Sequence, residues 1–118
     1  MRTHKGLDVL KNSIELVKIA YNVTSSFPKD ELYGFTNQIR RTAISIPSNI
    51  AEGAGRNHNK EFIQFLDMDQ GSLSELETQF KKAKELDFIK EDIYDLLLQQ
   101  INQIRAQFVG LIKHLQNK

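Results

Sequence analysis

The stretch SIPSNIAEGAGR, residues 45–56, decides the fold. A proline, two serines, an asparagine and two glycines stand there among alanines and isoleucines that are spaced as in a helix. The apolar positions Ala43 and Ile50 keep one phase on either side of Pro47, which predicts a single helix running through the proline. A proline inside a helix loses the hydrogen bond to the carbonyl four residues earlier and costs about 3 kcal/mol, so we expect a kink at Pro47.

Three more segments with helical periodicity surround this one. The four predicted helices cover approximately residues 7–27, 35–54, 59–86 and 90–116. Pro28 interrupts the pattern after the first helix, and Gly53 and Gly55 are suitable residues for ending the second. Gly71 lies inside the third segment, but the heptad phase passes through it unchanged, so one long helix is predicted there.

These segments predict an all-α fold, an antiparallel up-and-down four-helix bundle in which residues 1–118 form a single domain. The chain is 40% hydrophobic and 26% charged, with a net charge of +1, which is ordinary for a globular domain. It has no cysteine, which excludes disulfides and thiolate zinc sites. No stretch reaches the roughly 18 apolar residues of a membrane span, and no signal peptide precedes the first helix, so we expect a cytoplasmic protein without membrane association.

Small side chains concentrate on the second and third helices and predict a close crossing between them. We expect Asn49, Glu75 or Glu77 to supply polar contacts across it. Asp69 occupies a core-facing heptad position, where an uncompensated charge is costly, so it should have a buried or interfacial basic partner. The small residues of the crossing are Ser45, Ser48, Ala51, Gly53 and Ala54 on one helix, and Gly71, Ser72 and Ser74 on the other.

Four basic residues are the candidates for contact with a nucleic acid or a partner protein. Arg40 and Arg41 are adjacent in the second helix, and Arg56 and Lys60 follow its end. Such residues could bind the phosphates of RNA or DNA. The alternative is a solvated face or ion pairs between subunits, with partners from the set Glu52, Glu75 and Glu77.

The sequence indicates no catalytic residue, no cofactor site and no metal site. Di-iron bundles need Glu-x-x-His motifs on facing helices, and the chain has none. His4, His58 and His114 fall at a terminus, a loop and a helix end. The segment EGAGR lacks the spacing and the preceding strand of a phosphate-binding loop. We therefore expect a protein that acts by binding rather than by catalysis.

The segment YGFTNQIRRTAISIPSNIAEGAGR, residues 33–56, closely resembles the signature of bacterial 23S ribosomal RNA intervening-sequence proteins. The segment EFIQFLDMDQGSLSELETQF, residues 61–80, is similar to the third-helix block of the same family. Where relatives often carry a tryptophan in the first helix, this chain has Val9, Leu10 and Lys11.

This resemblance implies an up-and-down four-helix bundle that assembles into a ring of identical chains, usually a pentamer. The accessory protein of diversity-generating retroelements is similar too, and it binds nucleic acid and a reverse transcriptase. The resemblance therefore favours a nucleic-acid-associated accessory protein, although that relative is basic and this chain is nearly neutral. The alternative is a ring-forming scaffold that contacts another protein and binds no nucleic acid.

Overall fold

The computed structural model describes residues 3–117 as four α-helices and one short 3-10 helix. Each long helix packs against two neighbours, so that α1 and α3 both contact α2 and α4. This is the packing of a four-helix bundle, and the predicted all-α class is confirmed. In chain order the elements are α1 (His4–Thr24), the 3-10 helix (Lys29–Glu31), α2 (Phe35–Ala54), α3 (Asn59–Glu85) and α4 (Glu91–Gln116).

The ends of α1 differ from the prediction by three residues on each side. The helix begins early because the side-chain oxygen of Thr3 accepts a hydrogen bond from the backbone N–H of Gly6 at 2.9 Å, which caps the first turn. It ends at Thr24 rather than Phe27. Since Pro28 disfavours a helical conformation for the residue before it, Phe27 leaves the helix and is buried.

Three phenylalanines close the end of the bundle where Phe27 is buried. The ring centroids of Phe27 and Phe35 are 6.0 Å apart, and Phe88 lies 5.2 Å from Phe27. Phe88 reaches this cluster because α3 ends in a tight turn, in which Asp87 has a left-handed φ of 61° and the N–H of Phe88 donates to the carbonyl of Ala83. The turn therefore positions an aromatic side chain as well as ending a helix.

Both interruptions of the pattern lie inside continuous helices, as predicted. Pro47 is within α2 and Gly71 is within α3. The core consists of one buried apolar stripe from each helix, with Phe62, Phe80 and Phe108 fully buried at its centre. The kink at Pro47 and the up-and-down arrangement of all four helices stay predictions.

Candidate functional site

The α2 and α3 helices pack closely at Gly53. A Cβ atom added to Gly53 would lie 2.8 Å from the Cβ of Phe65 and 2.9 Å from a ring carbon of Phe62, so only glycine fits. Gly71 does not share this role, contrary to expectation. It is exposed, and no atom lies within 4 Å of the place its Cβ would take. The close approach at Gly53 therefore does not include Gly71.

Four side-chain hydrogen-bond contacts join α2 to α3 within residues 3–117, one of them from the amide of Gln79 to the hydroxyl of Thr42 at 3.1 Å. Asn49 donates to Asp69 at 3.0 Å. The hydroxyl of Thr42 lies 3.0 Å from the carboxylate of Glu75 and 2.9 Å from the carbonyl of Gln38, and its proton is shared between these two acceptors. The hydroxyls of Ser45 and Ser72 lie 3.2 Å apart between these two pairs. Because the bonded positions rise along α2 as they fall along α3, these two helices run in opposite directions.

Asn49 and Glu75 therefore contact the facing helix, as expected, whereas Glu77 does not. Arg105 of α4 donates to Glu77 at 2.8 Å, so Glu77 links α3 to α4 instead. Ser48, another residue of the predicted motif, is exposed and donates to the carbonyl of Ile44 within its own helix.

Asp69 is fully buried at the crossing, but its partner is not basic. The amide of Asn49 donates to one carboxyl oxygen, and the other, Oδ2, has no hydrogen-bond partner within residues 3–117. Burial raises the pKa of Asp69 to about 8, and the hydrogen bond from Asn49 offsets only part of this rise. The prediction of a basic partner is thus wrong within the single chain. With this raised pKa, the carboxyl is mainly neutral at pH 7.

Arg40 and Arg41 have different surroundings, as their 100° separation around the helix predicts. Arg40 is half-buried against α1, where its Nε donates to the hydroxyl of Thr24 at 2.9 Å and its guanidinium lies 4.6 Å from the ring centroid of Tyr21. Arg41 is exposed and has no side-chain hydrogen bond or ion pair within the described chain. Of these two arginines, only Arg41 can therefore bind a ligand without breaking contacts within the chain.

Arg56 and Lys60 lie at the other end of α2, roughly 20 Å from Arg41 at 1.5 Å per residue. Arg56 donates to Glu52 at 3.2 Å and lies 4.0 Å from Glu61, with its guanidinium 5.2 Å from the ring of Phe65. Lys60 is exposed. The structure therefore separates the four predicted contact residues into two groups, and in each group one arginine is engaged by its own chain.

A groove of about 710 Å³ runs between α2 and α3 beside Arg41. Lys82 of α3 lines it from the opposite side, and Thr42, Glu75 and Gln79 lie along it. Gln79 is 9% exposed, and its side-chain nitrogen donates to the hydroxyl of Thr42 at 3.1 Å, while its side-chain oxygen has no partner within residues 3–117. Sequence reasoning missed Lys82 and Gln79, because periodicity does not show which side chains of α2 and α3 share a groove.

The outward side of α2 carries no charge from residue 42 to residue 51. Ile44 is 40% exposed, and Ser48 and Ala51, which follow at helical spacing, are exposed as well. A solvent-facing helix normally carries charged residues at such positions. The sequence shows ten consecutive residues without charge, but only the structure shows that some of these positions face outward, where charged residues are expected.

A heptad of exposed apolar residues on α1 adjoins this side of α2. Leu7, Ile14 and Tyr21 are seven residues apart and 36–42% exposed. Arg40 lies over Tyr21, and Ile44 is one helical turn beyond Arg40, which puts the exposed apolar position of α2 near the Tyr21 end of this heptad. We call this surface the neutral face; it consists of Leu7, Ile14, Tyr21, Ile44, Ser48 and Ala51.

Metal and membrane sites find no support in the described part of the chain. Between residues 3 and 117, His, Asp and Glu side chains form no group of three that could hold a metal ion. None of the helices in that range combines the length and the apolar character that a membrane crossing needs.

Comparisons with known proteins show which family the chain matches and which solved structure shares its fold. A family model described as 23S rRNA-intervening sequence protein matches residues 5–110. Among solved structures, the chain is similar to a protein of unknown function from the S23 ribosomal protein family of Bacteroides thetaiotaomicron VPI-5482, whose crystal structure is at 1.70 Å resolution. The two are 22% identical over 92% of this chain and 98% of that one, with a TM-score of 0.82, which shows a shared fold. No curated protein matches the chain.

Proposed function

The chain belongs to the 23S rRNA-intervening sequence protein family, and we propose that it is a non-catalytic protein that works as a homo-oligomer assembled through the neutral face. The neutral face is the observation that carries this proposal. Monomeric proteins rarely leave a contiguous apolar surface uncovered, and a second copy would remove it from water. We propose that five copies form a ring. A cytoplasmic location stays a prediction.

The residues of the neutral face suit contact between helices of two copies. Ser48 and Ala51 are small and let another helix approach closely, while Ile14 and Ile44 supply apolar area. No charge between residues 42 and 51 would need to be desolvated on assembly. Within residues 3–117, Asp69 is the titratable group whose pKa is strongly raised, as is common for catalytic residues. It is fully buried and closed to a substrate, so it does not support a catalytic role.

Sedimentation velocity over a range of protein concentrations tests this proposal, with the variants Ile14→Glu and Ile44→Glu. Each places a carboxylate in the proposed interface, where burying an unpaired charge costs several kcal/mol, so the dissociation constant should rise at least about 100-fold. Val109→Glu is the matched control, because Val109 is 56% exposed on α4, outside the neutral face. Circular dichroism of each variant reports whether the bundle is still folded.

The wild-type chain should sediment as an oligomer, Val109→Glu should do the same, and the two interface variants should sediment as folded monomers. A wild-type protein that stays monomeric at high micromolar concentration would overturn the proposal. Equal dissociation of all three variants would show that assembly uses another surface.

A second candidate function is binding of RNA or DNA, which Arg41 and Lys60 favour because both are exposed and unpaired within the described chain. Fluorescence anisotropy of a labelled structured RNA across a salt series tests it, with Arg41→Ala as the informative variant. Binding that weakens steeply with salt, and less steeply in the variant, would support this candidate. Absence of binding at low salt would leave a scaffold that contacts other proteins as the alternative.

A further inference from the structure

We propose that the groove between α2 and α3 binds a sugar-phosphate unit through Arg41 and Lys82. The unit could belong to an RNA strand or to a free phosphorylated sugar, since the chemistry recognised is the same. For the strand, this inference rests on the nucleic-acid candidate described above and deepens it. For the free ligand, the inference is independent of the nucleic-acid candidate. In both cases it is independent of the proposed assembly.

The charges of the groove favour an anion. Arg41 and Lys82 are exposed, lie on facing helices and line the same groove, and neither side chain has a hydrogen bond or an ion pair within residues 3–117. Glu75 is the one acidic residue of the lining, so the groove carries two positive charges against one negative charge. Two unpaired cations that converge on one groove are the arrangement by which proteins hold phosphate groups.

The rest of the lining favours a sugar over a base. It consists of hydroxyl and amide side chains and includes no aromatic residue, so a nucleobase has nothing to stack on. Sugar hydroxyls, in contrast, can donate to the hydroxyl oxygens of Ser74 and Thr78, which line the groove; the proton of the Thr78 hydroxyl goes to the carbonyl of Ser74 at 3.1 Å. The volume of about 710 Å³ lies within the range of roughly 300–1,000 Å³ that is usual for small-molecule sites.

The side chain of Gln79 is a second and independent observation that points to a ligand. This residue is 91% buried and lines the groove, and its side-chain oxygen has no hydrogen-bond partner within residues 3–117. Buried amide oxygens are nearly always paired, so an orphaned one marks a place where a donor is missing. The oxygen itself is closed to solvent, so a sugar hydroxyl can donate to it only if the Gln79 amide turns toward the groove.

Two binding measurements on the full chain test the inference. Isothermal titration calorimetry with ribose 5-phosphate tests the free ligand, and fluorescence anisotropy of labelled oligouridine across a salt series tests the strand. The variant is Arg41→Gln with Lys82→Gln, and Lys11→Gln with Lys113→Gln is the control, since it removes the same charge from exposed positions on α1 and α4. Urea unfolding of both variants confirms that they are folded.

The variant of the groove should weaken ribose 5-phosphate binding at least about 10-fold and flatten the salt dependence of oligouridine binding by about 1.4 in slope, which corresponds to two phosphate contacts on a single strand. The control should change neither. Binding of the sugar phosphate alone would assign the groove to a free ligand and leave the nucleic-acid candidate to the structured-RNA test, whereas binding of the strand alone would assign the groove to the polymer. No binding of either probe, or equal losses in both variants, would overturn the inference.

Discussion

Replacing Asp69 with asparagine should stabilise this protein at neutral pH, although it removes a fully buried residue that hydrogen-bonds across the α2–α3 crossing. The reason is that the folded chain holds the carboxyl in its neutral form. Burial raises its pKa from 3.8 to about 8. Folding at pH 7 therefore requires Asp69 to take up a proton, and asparagine, which has nearly the same shape, is already neutral.

The sign and size of the effect follow from this rise in the pKa. A group whose pKa is raised in the folded state contributes stability that is fully present below its unfolded pKa of 3.8 and is lost as the pH rises through about 8. Within this window the free energy of unfolding falls by about 1.4 kcal/mol per pH unit. At pH 7, about three units above the unfolded pKa, proton uptake by Asp69 costs about 4 kcal/mol, which Asp69→Asn removes. The asparagine amide adds a buried N–H without an acceptor at a cost of about 1–3 kcal/mol, so the net increase should be about 1–3 kcal/mol.

Urea unfolding followed by circular dichroism at several pH values between 5 and 8.5 measures this difference. The protein concentration must be held constant, because assembly also contributes to apparent stability. Asp67→Asn is the matched control, since Asp67 is exposed on the same helix two residues away. The advantage of Asp69→Asn over the wild type should grow with pH, and the advantage of Asp67→Asn should stay near zero.

Lower stability of Asp69→Asn at pH 7 would refute the reasoning. A loss that also grows with pH would mean that Asp69 is charged in the assembled protein and paired with a cation, which a neighbouring copy would have to supply. The basic partner expected from the sequence would then exist between chains, while the single chain offers only the amide of Asn49.

Two further comparisons use pairs of similar residues, with urea unfolding as the measurement. Gly53→Ala should lower the free energy of unfolding by about 1–3 kcal/mol because its Cβ would overlap the facing helix, whereas Gly71→Ala should raise it by up to about 1 kcal/mol, since that position is open; equal effects would show that the crossing can relax. Arg40→Ala should cost about 1–2 kcal/mol through its lost contacts with Thr24 and Tyr21, and Arg41→Ala less than about 0.5 kcal/mol; a larger loss for Arg41 would contradict the placement of the two guanidinium groups.

The four helices could be predicted because a heptad repeat is a property of neighbouring residues in one chain. The ends of α1 could not, since they depend on events outside that repeat. The hydroxyl of Thr3 extends the helix at one end, and the burial of Phe27 against Phe35 shortens it at the other. A periodic pattern reports which positions face the core and is silent on where a cap or a tertiary contact ends the helix.

The candidate site was less predictable, because it depends on which helices become neighbours. The burial of Asp69 followed from its heptad position, but the identity of its partner did not. The same holds for the basic residues. Arg40 and Arg41 are indistinguishable by composition, and only the position of α1 beside α2 brings one of them to Thr24 and leaves the other in a groove with Lys82.

The proline in α2 is best understood together with the surface around it. Pro47 lies half-buried between the exposed residues Ile44, Ser48 and Ala51, in the ten-residue stretch without charge. A helix that needed only to cover its own core would gain about 3 kcal/mol from alanine at this position and would carry charged residues on its outward side. Pro47 and the uncharged positions both make the isolated chain less stable or less soluble. Their occurrence on one face is therefore better explained by contact with another molecule than by the folding of the single chain.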